Sequence, residues 1–533
     1  MILPGVVFIT GACVLVLEVV ATRVLAPYFG NTIYTVSSII GVILAALSFG
    51  YYFGGRLADK RPVATWFYGI ILISGLTVIG LEAIIIFILP SLGNALSLIY
   101  GPLITAVILF FLPAFFLGTL SPYAIKLQQQ AFPEEGIGAI SGTIFFWSTF
   151  GSIAGSLLTG FVFIPNFGVD KIIIGVGLLL TFVGFWPLLK QGIKIKYFFL
   201  ILLALIAAGA ELITISFPPN DLIYSRDGVY EKLFIFDREY KGRPTRFFQQ
   251  DRSNSGAMHL DSDDLVFDYT KYYALYKVFN PDLRQALVIG GGTYSIPKAL
   301  LKERGIEAVD VAEIEPSLFE LGKKYFRLPE DARLKNYVID GRRWLKQTDK
   351  KYDLIFSDVY YSLYSLPVHF TTEEFFKLAK SRLSNSGIFM ANLIGNLDSR
   401  PPSLIFSEMK TLQAVFPNSY FFAVRSLELK QTQNIIFVGL NNDHQIDFSD
   451  KSIVESQNEI ISQAGSKLID LRQVNFDLYT KLTDNYSPVE YLTAKVLNYR
   501  TYALKKYLLR QLAYISNFFV AELASLKQSS LQK

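Results

Sequence analysis

Long apolar stretches fill the N-terminal part of the chain, up to about residue 217. Each is long enough to cross the hydrocarbon core of a bilayer, which is about 30 Å thick. We therefore predict that residues 1–217 form a polytopic membrane domain of about seven helices. The predicted spans are 4–25, 35–54, 66–89, 103–121, 139–164, 172–189 and 197–217.

After residue 217 the apolar positions recur over much shorter distances. In residues 218–267, short alternating runs such as YEKLFIF and TRFFQQ are separated by Gly, Asp and Ser. This pattern predicts a small antiparallel β unit. Residues 268–445 are predicted to form a nucleoside-binding α/β domain, and residues 446–533 a C-terminal helical extension.

A βαβ unit is predicted between residues 286 and 315. Apolar runs of strand length at 286–289 and 308–314 flank a predicted helix at 296–304, and three glycines at 290–292 form the first turn. Glycine has no Cβ, so this turn can be tight and can approach a ligand closely, while the helix start offers free N–H groups. Such units build parallel, doubly wound sheets.

Acidic residues follow three of the predicted strands. Glu313 lies about twenty residues beyond the glycines, where this architecture places a carboxylate that accepts hydrogen bonds from ribose. Asp340 and Asp358 end two further apolar runs. Because ligands of open α/β sheets bind at the carboxyl ends of the strands, we predict a nucleoside ligand there. The alternative is a turn without a ligand and ordinary surface acids.

Composition narrows the classes of partner. Hydrophobic residues make up 51% of the chain, and the net charge of +5 comes without a long basic run, so no nucleic-acid partner is expected. The one cysteine, Cys13, excludes an intrachain disulfide. Three scattered histidines do not suggest a cluster of ligands, and we expect no metal.

The order of motifs in residues 222–440 resembles the spermidine synthases (polyamine aminopropyltransferases) and, more broadly, the class I S-adenosylmethionine-dependent methyltransferase fold. The motifs that carry this resemblance are IGGG, EIEP, DGRRWL, YDLIFSDVYY and HFTTEEFFKLAKSRLSNSGIFMANL. The resemblance implies that the glycines face the aminoalkyl chain of the donor. It further implies that Glu313 binds the ribose, that Asp340 with Gly341 binds the adenine, and that Asp358 lies beside the sulfonium. The glycines are Gly290, Gly291 and Gly292.

The membrane segment carries a second resemblance. LEVVATRVLAPYFGNTIYTVSSIIGVILAALSFGYYFGGRLADK is similar to the membrane domain of fused spermidine synthase-like proteins, whose transporter-like spans precede the enzyme. The expected fold class is therefore an N-terminal all-α polytopic membrane domain. A small antiparallel β unit and a C-terminal Rossmann-like α/β domain of class I methyltransferase type follow it. By resemblance, a homodimer is expected.

The acceptor-binding acids of the family are largely replaced. The second Asp of the family's DxxD pattern is Tyr361 here, the Asp after the glycines is Thr293, and a Tyr-His-Glu element reads Tyr269-Thr270-Lys271. Asn254 occupies the position of a Gln that faces the active site in the family. Asp358 is the candidate base, or else it only holds the sulfonium side of the donor. The tyrosines expected to line the acceptor pocket are Tyr269, Tyr360, Tyr361 and Tyr364.

These residues leave three functions open. The first is a membrane-anchored aminopropyltransferase that uses S-adenosylmethionine or its decarboxylated form as co-substrate and a small amine as acceptor. The second is a methyltransferase or other alkyltransferase with a non-polyamine acceptor, which Thr293, Lys271 and Tyr361 favour. The third is a non-catalytic transporter or sensor whose soluble domain binds a nucleoside.

Charges within and between the predicted spans bear on transport and orientation. Glu18, Arg23, Glu82 and Glu211 lie in apolar stretches, where charge is costly. They mark a substrate or proton path, or they are buried pairs and side chains at the ends of spans.

The positive-inside rule conflicts with the expected location of the enzyme. It places the basic loops around Lys60 and Lys190 in the cytoplasm and, with seven spans, the C-terminal domain outside. An adenosyl donor is expected inside the cell. A re-entrant or split segment, for example in 92–121, would change the number of crossings and remove the conflict. We therefore expect an integral protein of the cell membrane with a cytoplasmic catalytic domain.

Overall fold

The computed structural model describes residues 3–190, 221–359, 366–428 and 431–494. Within this part, six helical segments are long and apolar enough to cross a membrane. The seventh predicted span, 197–217, and Glu211 lie outside the described residues. The helices are α1 (Leu3–Phe29), α2 (Ile33–Lys60), α3 (Ala64–Phe87), the short α4 (Leu89–Ala95), α5 (Gly101–Gly118), α6 (Leu120–Ala131), α7 (Ile137–Leu158), α8 (Ile164–Phe167) and α9 (Val169–Lys190). Helices α5 and α6 form one span, and α7 and α8 form another.

The membrane helices pack in pairs, with α1 against α7, α2 against α5 and α3 against α9. Glycines make these approaches close. A Cβ atom on Gly151 would overlap the carbonyl oxygen of Phe8, and one on Gly155 would overlap that of Ala12. Small residues at this spacing let two helix backbones come together, so GSIAG forms the seam between α7 and α1.

A four-stranded antiparallel sheet follows the membrane helices, as the alternating pattern predicts. Its strands are joined in chain order, and Leu233, Ile235 and Phe248 are buried on one face. These side chains join the core of the α/β domain. The strands are β1 (Leu222–Asp227), β2 (Lys232–Tyr240), β3 (Arg243–Gln250) and β4 (Ser253–His259).

The α/β domain is built on a seven-stranded sheet with the order β10-β11-β9-β8-β5-β6-β7. Strands β5 to β9 are parallel, and β10 and β11 form an antiparallel edge. The predicted Rossmann-like class is confirmed. The strands are β5 (Gln285–Ile289), β6 (Ala308–Glu313), β7 (Leu334–Val338), β8 (Tyr352–Ser357), β9 (Leu383–Gly395), β10 (Ser419–Ala423) and β11 (Gln433–Leu440).

Helices cover both faces of this sheet, and the direction of the chain reverses between β5 and β8. From β5 the chain proceeds outward to β6 and β7 and then returns to β8 on the other side. A crevice forms at such a switch point, at the carboxyl ends of the strands. The helices are Ser295–Leu301, Leu318–Phe326, Gly341–Gln347, Glu373–Ser381 and Leu404–Val415.

The C-terminal extension is described only as far as residue 494. Up to that point it contains short helices at Lys451–Val454, Glu459–Ser462 and Ala464–Lys467.

The β unit docks against one end of the apolar N-terminal helices. Arg23 of α1 donates hydrogen bonds to the backbone carbonyls of Val229 and Tyr230. Lys232 forms an ion pair with Asp170 at the start of α9, with 3.2 Å between Nζ and Oδ2. Arg23 is thus a side chain at the end of a span. Two basic segments lie at the other end of the helices, away from the β unit. One follows α2 at Lys60, and the other follows α9 at Lys190.

Candidate active site

The turn after β5 requires glycine for two physical reasons. Gly290 has φ +92°, and a Cβ on it would overlap the carbonyl oxygen of Asp358. Gly292 also has a positive φ, of +52°. Tyr294 is left-handed as well, and its buried ring is fixed by a 2.7 Å hydrogen bond from its hydroxyl to Asn336. These constraints hold the turn against the loop after β8.

A cavity of about 380 Å³ lies at the carboxyl ends of β5, β6, β8 and β9, beside the turn between β3 and β4. It brings together predicted site residues from six separate segments. Tyr360, Tyr361 and Tyr364 lie outside the described residues. The predicted residues that line the cavity are Asn254, Tyr269, Gly290, Gly291, Gly292, Glu313, Asp340, Gly341 and Asp358.

Asp358 is held by hydrogen bonds at both carboxylate oxygens. The Tyr269 hydroxyl donates to Oδ2 at 3.0 Å, and the Asn392 amide donates to Oδ1 at 2.9 Å. Asn434 in turn donates to the Asn392 carbonyl at 2.9 Å and fixes the orientation of that amide. Burial raises the pKa of Asp358, and the two hydrogen bonds oppose this rise only in part. Such a carboxylate is a stronger proton acceptor than an exposed aspartate.

Glu313 supports the glycine turn directly. Its Oε2 accepts a 2.6 Å hydrogen bond from the N–H of Gly291, and its Oε1 accepts one of 2.7 Å from the N–H of Glu315. Burial raises the pKa of Glu313, while these backbone donors lower it. A carboxylate oxygen has two lone pairs, so both oxygens can still accept from a ligand.

Asp340 caps the helix Gly341–Gln347. Its Oδ1 accepts from the N–H of Arg343 at 2.8 Å, and its Oδ2 lies 3.0 Å from Nε2 of His369. Burial raises the pKa of Asp340, but these two contacts outweigh it, so the pKa lies below the usual range. The carboxylate is therefore ionised and positioned at the edge of the cavity.

Several lining residues were not predicted from the sequence. Asn392 interrupts an apolar run in β9, which was the available signal, whereas Asn434 follows Gln433 at the start of β11 and has no such signal. Gln250 and Asp268 line the wall formed by the β unit and the segment after it, and Arg425 lies near the antiparallel edge. Nothing in their local sequence separates Gln250 or Arg425 from ordinary surface residues.

Lys271 was expected to line the pocket in place of an acceptor-binding acid, but it does not. Its Nζ forms a 3.0 Å ion pair with Asp268, and Lys271 is absent from the described residues that line the cavity. Asp268 itself lines it. In this segment an aspartate, ion-paired with Lys271 and Lys241, therefore borders the cavity instead of the lysine.

The α/β domain is similar in sequence to a known family. Residues 273–450 match the family described as the spermine/spermidine synthase domain. A polyamine aminopropyltransferase of Vibrio vulnificus is 25% identical over 210 residues, which make up 38% of this chain and 68% of that protein. This part of the chain is therefore similar to spermidine synthases. Because the named relatives are aminopropyltransferases, the predicted transferase class is confirmed.

A longer likeness extends beyond the spermidine synthase domain. A polyamine aminopropyltransferase of Leptospira interrogans is 25% identical over 407 residues, covering 72% of this chain and 77% of that protein. That share exceeds what residues 221–533 could supply, so it includes part of the membrane helices.

Among solved structures, a probable spermidine synthase from Corynebacterium glutamicum aligns with a TM-score of 0.42 at 19% identity. The alignment covers 51% of this chain and 98% of that one.

Proposed function

We propose that the protein is a membrane-anchored aminopropyltransferase that uses decarboxylated S-adenosylmethionine as donor and a small amine as acceptor. The observation that carries this proposal is the Tyr269–Asp358–Asn392 arrangement beside the glycine turn. It offers a buried carboxylate with a raised pKa at the point where the resemblance puts the sulfonium.

The charges around the cavity favour a cationic donor. Four carboxylates line it, from Asp268, Glu313, Asp340 and Asp358, against one guanidinium, that of Arg425, among the described lining residues. The decarboxylated donor carries a sulfonium and an ammonium and no carboxylate. It therefore suits this site better than S-adenosylmethionine, because the carboxylate of S-adenosylmethionine would lie at the aminoalkyl end of the donor, where the resemblance places Asp358.

The reaction is an in-line displacement. The neutral nitrogen of the acceptor attacks the carbon next to the sulfonium, a C–N bond forms, and the C–S electron pair returns to sulfur as a thioether. Asp358 accepts the proton that the nitrogen loses, either before or during attack. Tyr269 and Asn392 hold the Asp358 carboxylate in place, and the glycine turn brings the donor chain close to it.

The membrane helices anchor this activity to the bilayer. We propose that the catalytic domain lies in the cytoplasm, because the adenosyl donor is expected there. The expected homodimer remains a prediction.

The proposal is tested by binding and turnover with the full-length protein in detergent. S-adenosylmethionine and its decarboxylated form are titrated separately by calorimetry, each with and without putrescine, and aminopropyl transfer is measured by mass. We expect preference for the decarboxylated donor, tighter binding with putrescine, and a transferred aminopropyl group. Preference for the carboxylated donor without a putrescine effect would contradict the proposal and favour an alkyltransferase with another acceptor. Binding of neither would favour the transporter or sensor.

A further inference from the structure

A second cavity, of about 320 Å³, lies between the membrane helices and the β unit. The ends of α1 and α9 form one wall, and the β1–β2 and β3–β4 turns form the other. Among the described residues, none lines both this interfacial cavity and the active-site cavity. It is therefore a separate chamber at the junction of the two domains.

Glu231 gives the interfacial cavity its chemical character. Its Oε2 is buried and has no hydrogen-bond partner within the described part of the chain. Burial raises the pKa of Glu231 to about 8, and the nearby carboxylates of Asp251, Glu313 and Glu315 add to the rise, while Arg23 opposes it. A buried carboxyl oxygen without a hydrogen-bond partner is costly, and a bound ammonium group would supply the missing partner.

The other charged groups around Glu231 are already engaged. Asp170 pairs with Lys232, and Asp227 accepts from the N–H of Val169 at 3.1 Å. Asp251 accepts from the backbone N–H of Lys232 at 3.0 Å. Arg23 binds backbone carbonyls, and Arg252 lies over the Tyr28 ring at 4.8 Å. Among the described lining residues, the three aspartates are thus matched in number by three cations, and Glu231 is the acid in excess.

The lining favours an organic cation over a metal ion. In the part of the chain that the structure describes, no group of three or more His, Cys, Asp and Glu side chains could hold a metal. Apolar and aromatic side chains, including Val24, Leu89 and Phe234, line the cavity together with the carboxylates. Such a mixture suits an alkyl chain with ammonium ends.

The two cavities share a wall. At the β3–β4 turn, Asp251 and Arg252 line the interfacial cavity, and the next residues, Ser253 and Asn254, line the active site. A second link passes through Glu315. Its Oε2 accepts from the N–H of Val229 at 2.9 Å, and its own N–H donates to Glu313 in the active site.

We propose that the interfacial cavity is a binding site for a small alkylamine, separate from the active site. Glu231 is the carboxylate that pairs with the ammonium group. The identity of the ligand rests on the proposed function, whereas cation binding at Glu231 does not.

The test uses putrescine and the full-length protein in detergent, without a nucleoside donor. At pH 7 the raised pKa leaves most Glu231 carboxyls protonated, so cation binding releases a proton. The binding enthalpy of the interfacial site should therefore vary with the ionisation enthalpy of the buffer. Glu231→Gln should weaken this binding about tenfold or more and remove the buffer dependence, because a charge-assisted hydrogen bond is lost. Glu231→Asp, which keeps the charge, should restore part of the affinity.

Matched variants separate this site from the active site. Glu239→Gln changes an exposed residue of β2, the strand that begins directly after Glu231, and should bind putrescine as the wild type does. Asp358→Asn removes the proposed base and should retain the buffer-dependent binding at Glu231. Unchanged affinity and unchanged buffer dependence in Glu231→Gln would overturn the proposal. If no turnover is found but putrescine binding still depends on Glu231, the proposed aminopropyltransferase activity is contradicted and the binding site is not.

Discussion

Asp358 is the residue on which catalysis should depend most strongly. Asp358→Asn keeps the shape of the side chain but cannot accept a proton, so we expect kcat/KM to fall by roughly 10²- to 10⁴-fold. Donor affinity should change much less, because the glycine turn, Glu313 and Asp340 remain. Calorimetry with the donor and steady-state kinetics separate the two effects. Asp443→Asn, on an exposed loop, serves as the control. Equal losses of donor binding and turnover would show that Asp358 is a binding residue.

The environment of Asp358 also predicts a pH dependence. Only the ionised carboxylate accepts a proton, and burial raises its pKa above that of an ordinary aspartate. The rate should therefore fall as the pH drops through this raised pKa. Tyr269→Phe removes a hydrogen bond that lowers the pKa of Asp358, so the acidic limb should move to higher pH. Tyr273→Phe, whose hydroxyl contacts Glu303 instead, should leave the limb in place. An unmoved limb in Tyr269→Phe would exclude Asp358 as the titrating group.

The role of the glycine turn in donor binding can be tested by comparing substitutions at two glycines. Gly290 and Gly305 have nearly the same φ, +92° and +90°, but a Cβ meets Asp358 only at Gly290 and meets nothing at Gly305. Gly305→Ala should cost about 1–3 kcal/mol of stability from backbone strain alone. Gly290→Ala should cost more and should also abolish donor binding, because the overlap displaces the loop after β8. Thermal unfolding and donor calorimetry measure both effects. Similar donor binding in the two variants would show that this close approach does not shape the site.

At the scale of elements, sequence patterns predicted the βαβ unit and the strand ends well. Apolar runs mark buried strands, and parallel strands end at one edge of the sheet, so Glu313, Asp340 and Asp358 were expected to meet. Asn392 was not found this way. Its position depends on the register of β8 with β9, in which Ser357 lies opposite Ala391, and no local pattern specifies that register. The helix predicted at 296–304 spans Ser295–Leu301, because the N–H groups of Lys302 and Glu303 donate to carbonyls three residues back, which ends the α-helix.

The junction of the two domains could not be predicted, for a related reason. Arg23 contacts residues more than two hundred positions away, and Glu231 reads in the sequence as an ordinary acid next to a lysine. Only the docking of α1 and α9 on the β unit encloses these charges. Such contacts depend on how two elements pack together, and the hydrophobic pattern of either element alone does not predict them.

At the scale of the whole molecule, the prediction to be tested is the side of the membrane on which the catalytic domain lies. The β unit docks at one end of the helices, and the basic segments near Lys60 and Lys190 lie at the other. With the helices across a membrane, as we propose, the two ends face opposite sides of the bilayer. A cytoplasmic enzyme therefore requires basic loops outside, against the positive-inside rule. We expect the supply of the donor to outweigh this statistical bias.

Cysteine labelling decides between the two orientations. Cys13 is the one cysteine of the chain and is buried in α1, so it gives a low background for single-cysteine variants. Glu134→Cys places a thiol on the exposed α6–α7 loop at the basic end, and Asp443→Cys places one on the catalytic domain. With a membrane-impermeant maleimide on intact cells, we expect labelling of Glu134→Cys and labelling of Asp443→Cys only after permeabilisation. The reverse pattern would place the enzyme outside. It would then require the donor to cross the membrane before it could react.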